Sequence, residues 1–442
     1  MSPRIPLSRR AVLAGGVAAA LARPYVAAAQ TGDVEVAIVG GGAAGIAAAR
    51  KLGAAGRSYV LIEAAPRLGG RAHTETVFDL PFDLGAGRFA RAGNPLVEAA
   101  TESGLPLSPL RPGRRLYVDG REAGDSEYES FAAALGRAER TITATADAGR
   151  DVAAARALPD LGEWSATVNA VLGPLGCGRA LSAVSTVDLA RRAAPADDMR
   201  ATAGVGALLG SLGAWLNTRL GTRVSRIDTI ARGVALEASG TLRARTVILA
   251  VPAAVLAAGA IRITPGLPQR LQGALGRLPS GLIENVGFVL PGNPLGLSSN
   301  ELVQIKAGTA APALLQARIG GSDLHVAVFG GEAAGNIASK GEAAALDRTR
   351  NFLVNGFGRG AVSNLTKVVA SRWSADPLIR GALAVAEPGA GGVRGTFADP
   401  VSGRLIFAGE YTHETLWGTL AGAWLSGERA ADQAIRILGG RA

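Results

Sequence analysis

Val34-Glu35-Val36-Ala37-Ile38-Val39-Gly40-Gly41-Gly42-Ala43-Ala44-Gly45 is the stretch that decides the fold class. Its first six residues are an apolar run broken once, at Glu35, and have the length of a short buried strand. They pass without a linker into three glycines, and a small-residue stretch with helix-compatible spacing, Ile46 to Ala55, follows at once. Strand, glycine turn and helix in this order are what a dinucleotide site requires. Gly40 permits the tight turn, Gly42 lets the backbone approach a pyrophosphate, and Gly45 lets the helix lie close to the strand. The helix N-terminus, with Ala43 and Ala44, then faces the phosphates. Tyr59-Val60-Leu61-Ile62 reads as a second strand, and Glu63 at its end stands 18 residues after Gly45. A carboxylate there accepts bonds from ribose hydroxyls and argues against a phosphorylated ribose, hence against NADP. An isolated glycine pattern is often only a structural turn; here strand, helix and acid all fall in place.

The next residues, Glu63-Ala64-Ala65-Pro66-Arg67-Leu68-Gly69-Gly70-Arg71, set two arginines around a glycine pair. Such a loop places guanidinium groups on a diphosphate while Gly70 keeps the backbone close to the ligand. This suits FAD. The run from Val36 to Arg71 resembles the N-terminal fingerprint of the flavin-containing amine oxidases, a family of monoamine, polyamine and L-amino-acid oxidases and histone lysine demethylases. Asp83-Leu84-Gly85-Ala86 resembles that family's turn beside the flavin ring, and Asn94-Pro95 the start of the helix after it. Gly206 to Leu220 with Thr222-Arg223-Val224, and later Val247 to Pro252, resembles a third FAD-contacting piece, and Trp373 to Gly381 a motif near the flavin. Phe407-Ala408-Gly409-Glu410 follows a strand-like Arg404-Leu405-Ile406, and Gly422 to Ala431 opens the last helix. The resemblance implies that Glu410 lies at the ribityl and phosphate side and that this helix points its N-terminus at the pyrimidine edge of the ring. It reaches from about residue 34 to 440 and is weakest between about 110 and 200.

The fold class expected is α/β: a discontinuous Rossmann-like FAD-binding domain formed by residues 33–92, 200–265 and 395–442. Residues 93–199 and 266–394 would form a substrate domain of mixed sheet plus helices. Residues 128–200 are alanine-rich with helical spacing, whereas 282–290 and 324–330 look strand-like.

Composition narrows the chemistry. A chain of 442 residues that is 48% hydrophobic and 19% charged has material for a large core. Its net charge is +10, of which Arg4, Arg9, Arg10 and Arg23 supply four, leaving +6 for the remainder. Only four of the 46 basic residues are lysines and the arginines are scattered, so no basic stripe points to nucleic acid. Cys177 is the single cysteine, and His73, His325 and His413 lie far apart, which excludes multi-cysteine metal sites and gives no metal-ligand spacing. No metal is expected, and the chemistry falls to an organic cofactor. Ser8-Arg9-Arg10-Ala11-Val12-Leu13, an uncharged run to Ala22, and Ala27-Ala28-Ala29 have the order of a secretory signal of the twin-arginine type over residues 1–29. The expectation is a periplasmic or secreted protein, delivered by the twin-arginine export machinery.

The resemblance implies FAD-dependent oxidation of an amine or amino acid to an imine, with molecular oxygen as acceptor and hydrogen peroxide as product. In the family a lysine commonly holds a water near flavin N5; here Asn285 falls at that place, and a shift of one residue would put Glu284 there. Asparagine holds a water through its amide but brings no charge and no base. Many relatives have an aromatic residue in the turn before the last helix, where this chain has Thr419; Trp417, two residues earlier, either lines the pocket or belongs to the core. Arg88, in Gly85-Ala86-Gly87-Arg88-Phe89, resembles the arginine with which L-amino-acid oxidases hold the substrate carboxylate; the alternative is a surface or ion-paired arginine. His73 and His413 read as structural histidines, and FAD is expected to be held without a covalent bond. A flavoprotein dehydrogenase or desaturase, and a non-catalytic FAD-binding protein, stay open as alternatives.

Overall fold

A strand β1 (Val34–Val39), a helix α1 (Ala43–Ala54) and a strand β2 (Tyr59–Ile62) follow one another at the start of the computed structural model. It describes residues 34–110, 113–193, 199–308 and 310–439. The expected export signal lies outside the described residues. β1 pairs in parallel with β2, Val36 opposite Tyr59 and Val39 opposite Ile62, and on its other side with β3 (Thr241–Leu249), Ile38 opposite Ile248. A strand with parallel neighbours is covered on both faces, which is why β1 is a near-continuous apolar run. Val36, Ala37 and Ile38 are fully buried.

These strands belong to an eight-stranded sheet that also takes in Thr218–Arg219, Arg226–Ile230, Gly233–Glu237, Arg262–Thr264 and Leu405–Phe407. The last of these pairs in parallel with the C-terminal half of β3. Two helices cover one face: α1, and the last helix α2 (Leu420–Ile437). Small residues make their contact close. Ala44 and Ala48 meet Ala430, Ala431 and Ala434, and a Cβ on Gly427 would stand 2.0 Å from the Ala44 carbonyl oxygen. α1 starts three residues before the expected Ile46, because Gly42, in extended backbone, caps it and the two alanines join its first turn. α2 likewise starts at Leu420, since Thr419 accepts a bond from the Gly422 amide and so serves as N-cap.

A second, seven-stranded sheet is mixed. It runs Val369–Ala370, β4 (Ile283–Val289), β5 (Leu324–Gly330), Ala313–Gln316, Leu302–Ile305, Arg114–Val118 and Arg121–Glu122. All its pairings are antiparallel except that of Arg114–Val118 with Leu302–Ile305. The alanine-rich stretch contains a 23-residue helix, Asp125–Asp147, which buries Ala134, Ala138, Ile142 and Thr145 along one stripe. From Val34 onward the chain packs as one compact unit. Among the described residues no helix is long and apolar enough to cross a membrane, and no three His, Cys, Asp or Glu side chains are grouped to hold a metal.

Candidate active site

The C-terminal ends of β1, β2 and β3 open into a cavity of about 390 Å³ that continues past Gly85 and Ala86 to Trp373 and Thr419. Crevices outside the carboxyl ends of parallel strands are where α/β sheets bind ligands. The three motif glycines answer to three different constraints. Gly40 has φ +108°, and a Cβ there would lie 2.6 Å from the Ala250 carbonyl oxygen. A Cβ on Gly45 would lie 1.9 Å from the Gly40 oxygen, so the helix could not seat on the strand. A Cβ on Gly42 would meet nothing within 4 Å. Gly42 faces open cavity, at a helix start that no side chain caps, so the first-turn N–H groups are left for a ligand.

Around this cradle stand the other expected residues. Gly70, with φ +59°, brings its backbone so close that a Cβ would be 3.3 Å from the Gly42 Cα. The Glu63 carboxylate lines the cavity and accepts from the Gly41 amide at 2.5 Å and the Ala65 amide at 2.7 Å, bracing the glycine turn with lone pairs to spare. Arg67 donates to the carbonyls of Leu68 and Gly70; burial pulls its pKa below the usual guanidinium value, against the opposing charge of Glu63. Arg71 donates to the Ala382 carbonyl and to Glu410 at 3.0 Å. Glu410 is largely buried, lines the cavity, and also accepts from the amides of Ala384 and Gly418, tying three segments together at the wall. Gly409 has φ +136°, and Val224 lines the cavity.

At the far end Gly85 packs against Arg71 and Trp373, a Cβ on it standing 1.9 Å from the Arg71 carbonyl oxygen. The Trp373 indole donates to the Leu84 carbonyl at 3.0 Å. Asn285 reaches the cavity from β4, and its amide donates to the carbonyls of Gly85 at 2.9 Å and Asp83 at 3.3 Å. Thr419 lines the cavity with its hydroxyl already engaged, donating to the Leu416 carbonyl at 2.6 Å. Arg88 lines the cavity beyond Gly87.

Two expectations are corrected. Glu284 does not face the cavity: alternate residues of a strand point to opposite faces, so Asn285 in the cavity turns Glu284 away. It is fully buried and accepts from Ser371, from the Trp373 amide, and from the amide and hydroxyl of Ser374. Trp417 is fully buried in the core. Its indole N–H donates to the Asp188 carbonyl, and the guanidinium carbons of Arg192 and Arg394 stand 4.4 and 4.6 Å from its ring centroid. His73, whose pKa burial lowers, sits 3.6 Å from Glu75, and His413 accepts from two backbone amides. Neither histidine lines the cavity, nor does buried Cys177.

Sequence reading missed Asp188 and Arg394, which form a buried two-point ion pair at 2.7 and 2.8 Å, while Arg394 also bonds the carbonyls of Tyr411 and Ala384. A lone arginine in the glycine-rich run Gly389 to Gly395 was its only signal. Gln316 and Val328, which line the cavity from the second sheet, were also missed.

The model of the family described as flavin containing amine oxidoreductase matches residues 43–168 and 155–435. The chain belongs to this family. It is therefore an oxidoreductase of a flavin-containing family. It is 28% identical over 457 residues to lysine-specific histone demethylase 1 homolog 2 of Arabidopsis thaliana, covering 94% of this chain and 60% of that one. It is 25% identical over 464 residues to lysine-specific histone demethylase 1B of Mus musculus, covering 97% of this chain and 56% of the relative. The chain thus spans about 60% of the length of these relatives. In fold it is similar to cyclohexylamine oxidase from Brevibacterium oxydans IH-35A, with TM-score 0.77 and 22% identity over 92% of this chain and 100% of that one. It is also similar to putrescine oxidase bound to putrescine, with TM-score 0.79 and 19% identity over 91% and 99% of the two chains.

Proposed function

We propose that this family member is an FAD-dependent amine oxidase that converts a small-molecule amine to an imine, with oxygen as the final acceptor and hydrogen peroxide as product. The observation that carries the reading is the continuity of one cavity from the Gly42 cradle to the Asn285 end. A dinucleotide seated on the cradle has room to extend its other half to the place where the family's reactive ring belongs. FAD would be held by Gly40, Gly42, Ala43, Ala44, Gly45, Glu63, Arg67, Gly70, Arg71, Val224, Gly409 and Glu410, and bordered at its ring by Gly85, Ala86, Trp373 and Thr419. When bound, the flavin would accept a hydride equivalent, two electrons with one proton, from the carbon bearing the nitrogen, while the nitrogen gives up its own proton to water. Water then hydrolyses the released imine to an aldehyde or keto acid and an amine or ammonia.

The protein's own groups orient and enclose. With its amide nitrogen committed to two carbonyls, Asn285 offers its oxygen to the cavity as an acceptor for the substrate amine or a bound water. The apolar walls, Ile283 and Val328 among them, exclude bulk water. Non-covalent attachment is favoured because neither histidines nor the cysteine reach the cavity among the described residues.

The Rossmann-like assignment of residues 33–92, 200–265 and 395–442, and of the remainder to substrate binding, is part of this proposal. So is export through residues 1–29 to the periplasm or beyond. A second reading, a dehydrogenase that passes electrons to another acceptor, is favoured by the neutral amide of Asn285, since reduction of oxygen builds negative charge that a cation would stabilise. The test is anaerobic bleaching of the flavin band by polyamines, monoamines, L-amino acids and lysine peptides, followed by air. Bleaching by one class with rapid recovery and peroxide supports the oxidase. Bleaching with slow recovery selects the dehydrogenase, and a spectrum that no amine changes rejects both.

A further inference from the structure

An amine reaches an oxidase protonated. At pH 7 an amine with the ordinary pKa of about 10.4 is neutral in only about one molecule in 2,500, and the nitrogen must be neutral for its lone pair to help the hydride leave. Asn285 is no base, so the proton needs another acceptor. Among the described residues four carboxylates line the main cavity or the space beside it: Glu63, Asp376, Glu410 and Asp83. Glu63 and Glu410 hold donors on both oxygens. Asp376 accepts from the Leu378 amide and stands in the field of Arg67, which keeps a carboxylate ionised.

Asp83 differs in place and in bonding. It ends the short strand Leu80–Asp83, two residues before Gly85, and lines a second cavity of about 50 Å³ that shares Gly85, Gly87, Asn285 and Gln316 with the first. A water needs about 10–15 Å³ of such space, so three or four fit, with Asn285, Gln316 and Asn300 among their polar partners. The Thr74 hydroxyl and the Val205 amide both donate to Oδ1. Oδ2 is turned toward Gly87, where an added Cβ would stand 3.3 Å from it, and Gly87 lines both cavities. Burial pushes this carboxyl above its usual range, against the opposing pull of Thr74, the amides of Val205 and Gly206 and the charge of Arg200; Arg88 also lines the chamber.

We propose that Asp83 is the proton acceptor for the substrate ammonium, reached from the Asn285 end of the main cavity through water in this chamber. This rests on the amine-oxidising reading of the main cavity and supplies the proton step that reading requires. One N–H bond of the ammonium breaks and its proton passes to a chamber water, which gives a proton of its own to Oδ2; nothing is oxidised or reduced. The count closes later, because oxygen must take up one proton besides the hydride equivalent to leave as hydrogen peroxide.

The test uses the flavin-loaded full chain. Difference infrared spectra of the wild type against Asp83→Asn, which keeps an acceptor oxygen for Thr74 and Val205, should show a protonated-carboxyl band that titrates above the ordinary carboxylate range. A band that titrates within or below that range overturns the proposal. Anaerobic flavin reduction by n-butylamine, putrescine and L-leucine is then followed from pH 7 to 10. Asp83→Asn should be at least tenfold slower than the wild type at pH 7 and regain most of that loss by pH 10, where neutral amine is plentiful. Gly87→Ala, which leaves Asp83 in the chain and sets a methyl group against Oδ2, should also be slower at pH 7. A loss in Asp83→Asn that is equal at every pH marks a structural role and overturns the proposal. So does a shift of the profile that Asp376→Asn produces and Asp83→Asn does not. If none of these amines bleaches the flavin at any pH, the oxidase reading falls and this step with it; bleaching with one profile shared by wild type, Asp83→Asn and Gly87→Ala removes the step alone.

Discussion

Gly42 and Gly45 lie in one motif, yet the structure separates the consequences of changing them. At Gly42, φ is −77° and no heavy atom lies within 4 Å of an added Cβ, so Gly42→Ala should alter the stability of the flavin-free fold by less than about 1 kcal/mol. Gly42→Leu should behave similarly, because its side chain extends into cavity. Either side chain stands where a pyrophosphate would approach the α1 N-terminus, and we expect at least a hundredfold weaker flavin binding, about 2.7 kcal/mol. At Gly45 an added Cβ would lie 1.9 Å from the Gly40 oxygen, far inside contact distance. Relieving that overlap costs about 1–3 kcal/mol, less the ~1 kcal/mol that alanine returns as a better helix former. The assay is flavin absorbance per protein after desalting, together with the melting temperature of the flavin-free protein. The expected pattern is Gly42→Leu colourless with an unchanged flavin-free Tm, and Gly45→Ala with a Tm lower by a few degrees. Equimolar flavin in Gly42→Leu would refute the cradle assignment, and an unshifted Tm in Gly45→Ala would refute the packing argument.

Asp188→Asn leaves Arg394 buried beside a neutral partner and should cost about 3–5 kcal/mol in urea unfolding; a cost below about 1 kcal/mol would deny the pair its role. Burial lowers His325 from the usual 6.5 to about 4, with neither ring nitrogen bonded. Its stabilising contribution is full above pH 6.5 and is lost as pH falls toward 4, about 3 kcal/mol in all. His325→Phe, which keeps an aromatic ring on Phe288, should flatten the decline in urea midpoint between pH 7 and 4.5; an unchanged decline counts against it. Glu284→Gln should lower Tm by several degrees because it weakens four bonds behind Trp373, without slowing flavin reduction as much, whereas Asn285→Ala, which loses two bonds to carbonyls, should lower Tm by less and slow flavin reduction by amines at least tenfold. The reverse pattern would exchange the assignments of the two residues.

What was legible in the sequence was local. β1, the glycine turn and β2 are contiguous, and each announces itself through a short-range rule: an apolar run, a small-residue turn, a second run ending in an acid. Asn285 was legible only by resemblance and only to within one residue, and one residue on a strand is a change of face. The choice between Asn285 and Glu284 therefore needed the register of β4 with β5, which no short-range rule supplies. Trp417 and Thr419 posed the same difficulty in a turn, where no period assigns faces at all. Asp188 and Arg394 were illegible for another reason: they are 206 positions apart, and neither neighbourhood has a pattern requiring the other.

These misses share a physical cause. The wall toward the ligand is largely backbone and small residues, so it writes itself into the sequence as glycine and alanine. Charged groups that hold the wall, Glu284 behind Trp373 and Asp188 behind Trp417 through Arg394, are buried one layer back. A buried carboxylate needs its full set of donors, and both find them on segments distant in sequence. The front layer should therefore fail by losing ligand and the back layer by losing stability. A back-layer variant that kept its Tm but lost flavin would show that the wall yields locally, and that these carboxylates hold the cavity's shape rather than the fold.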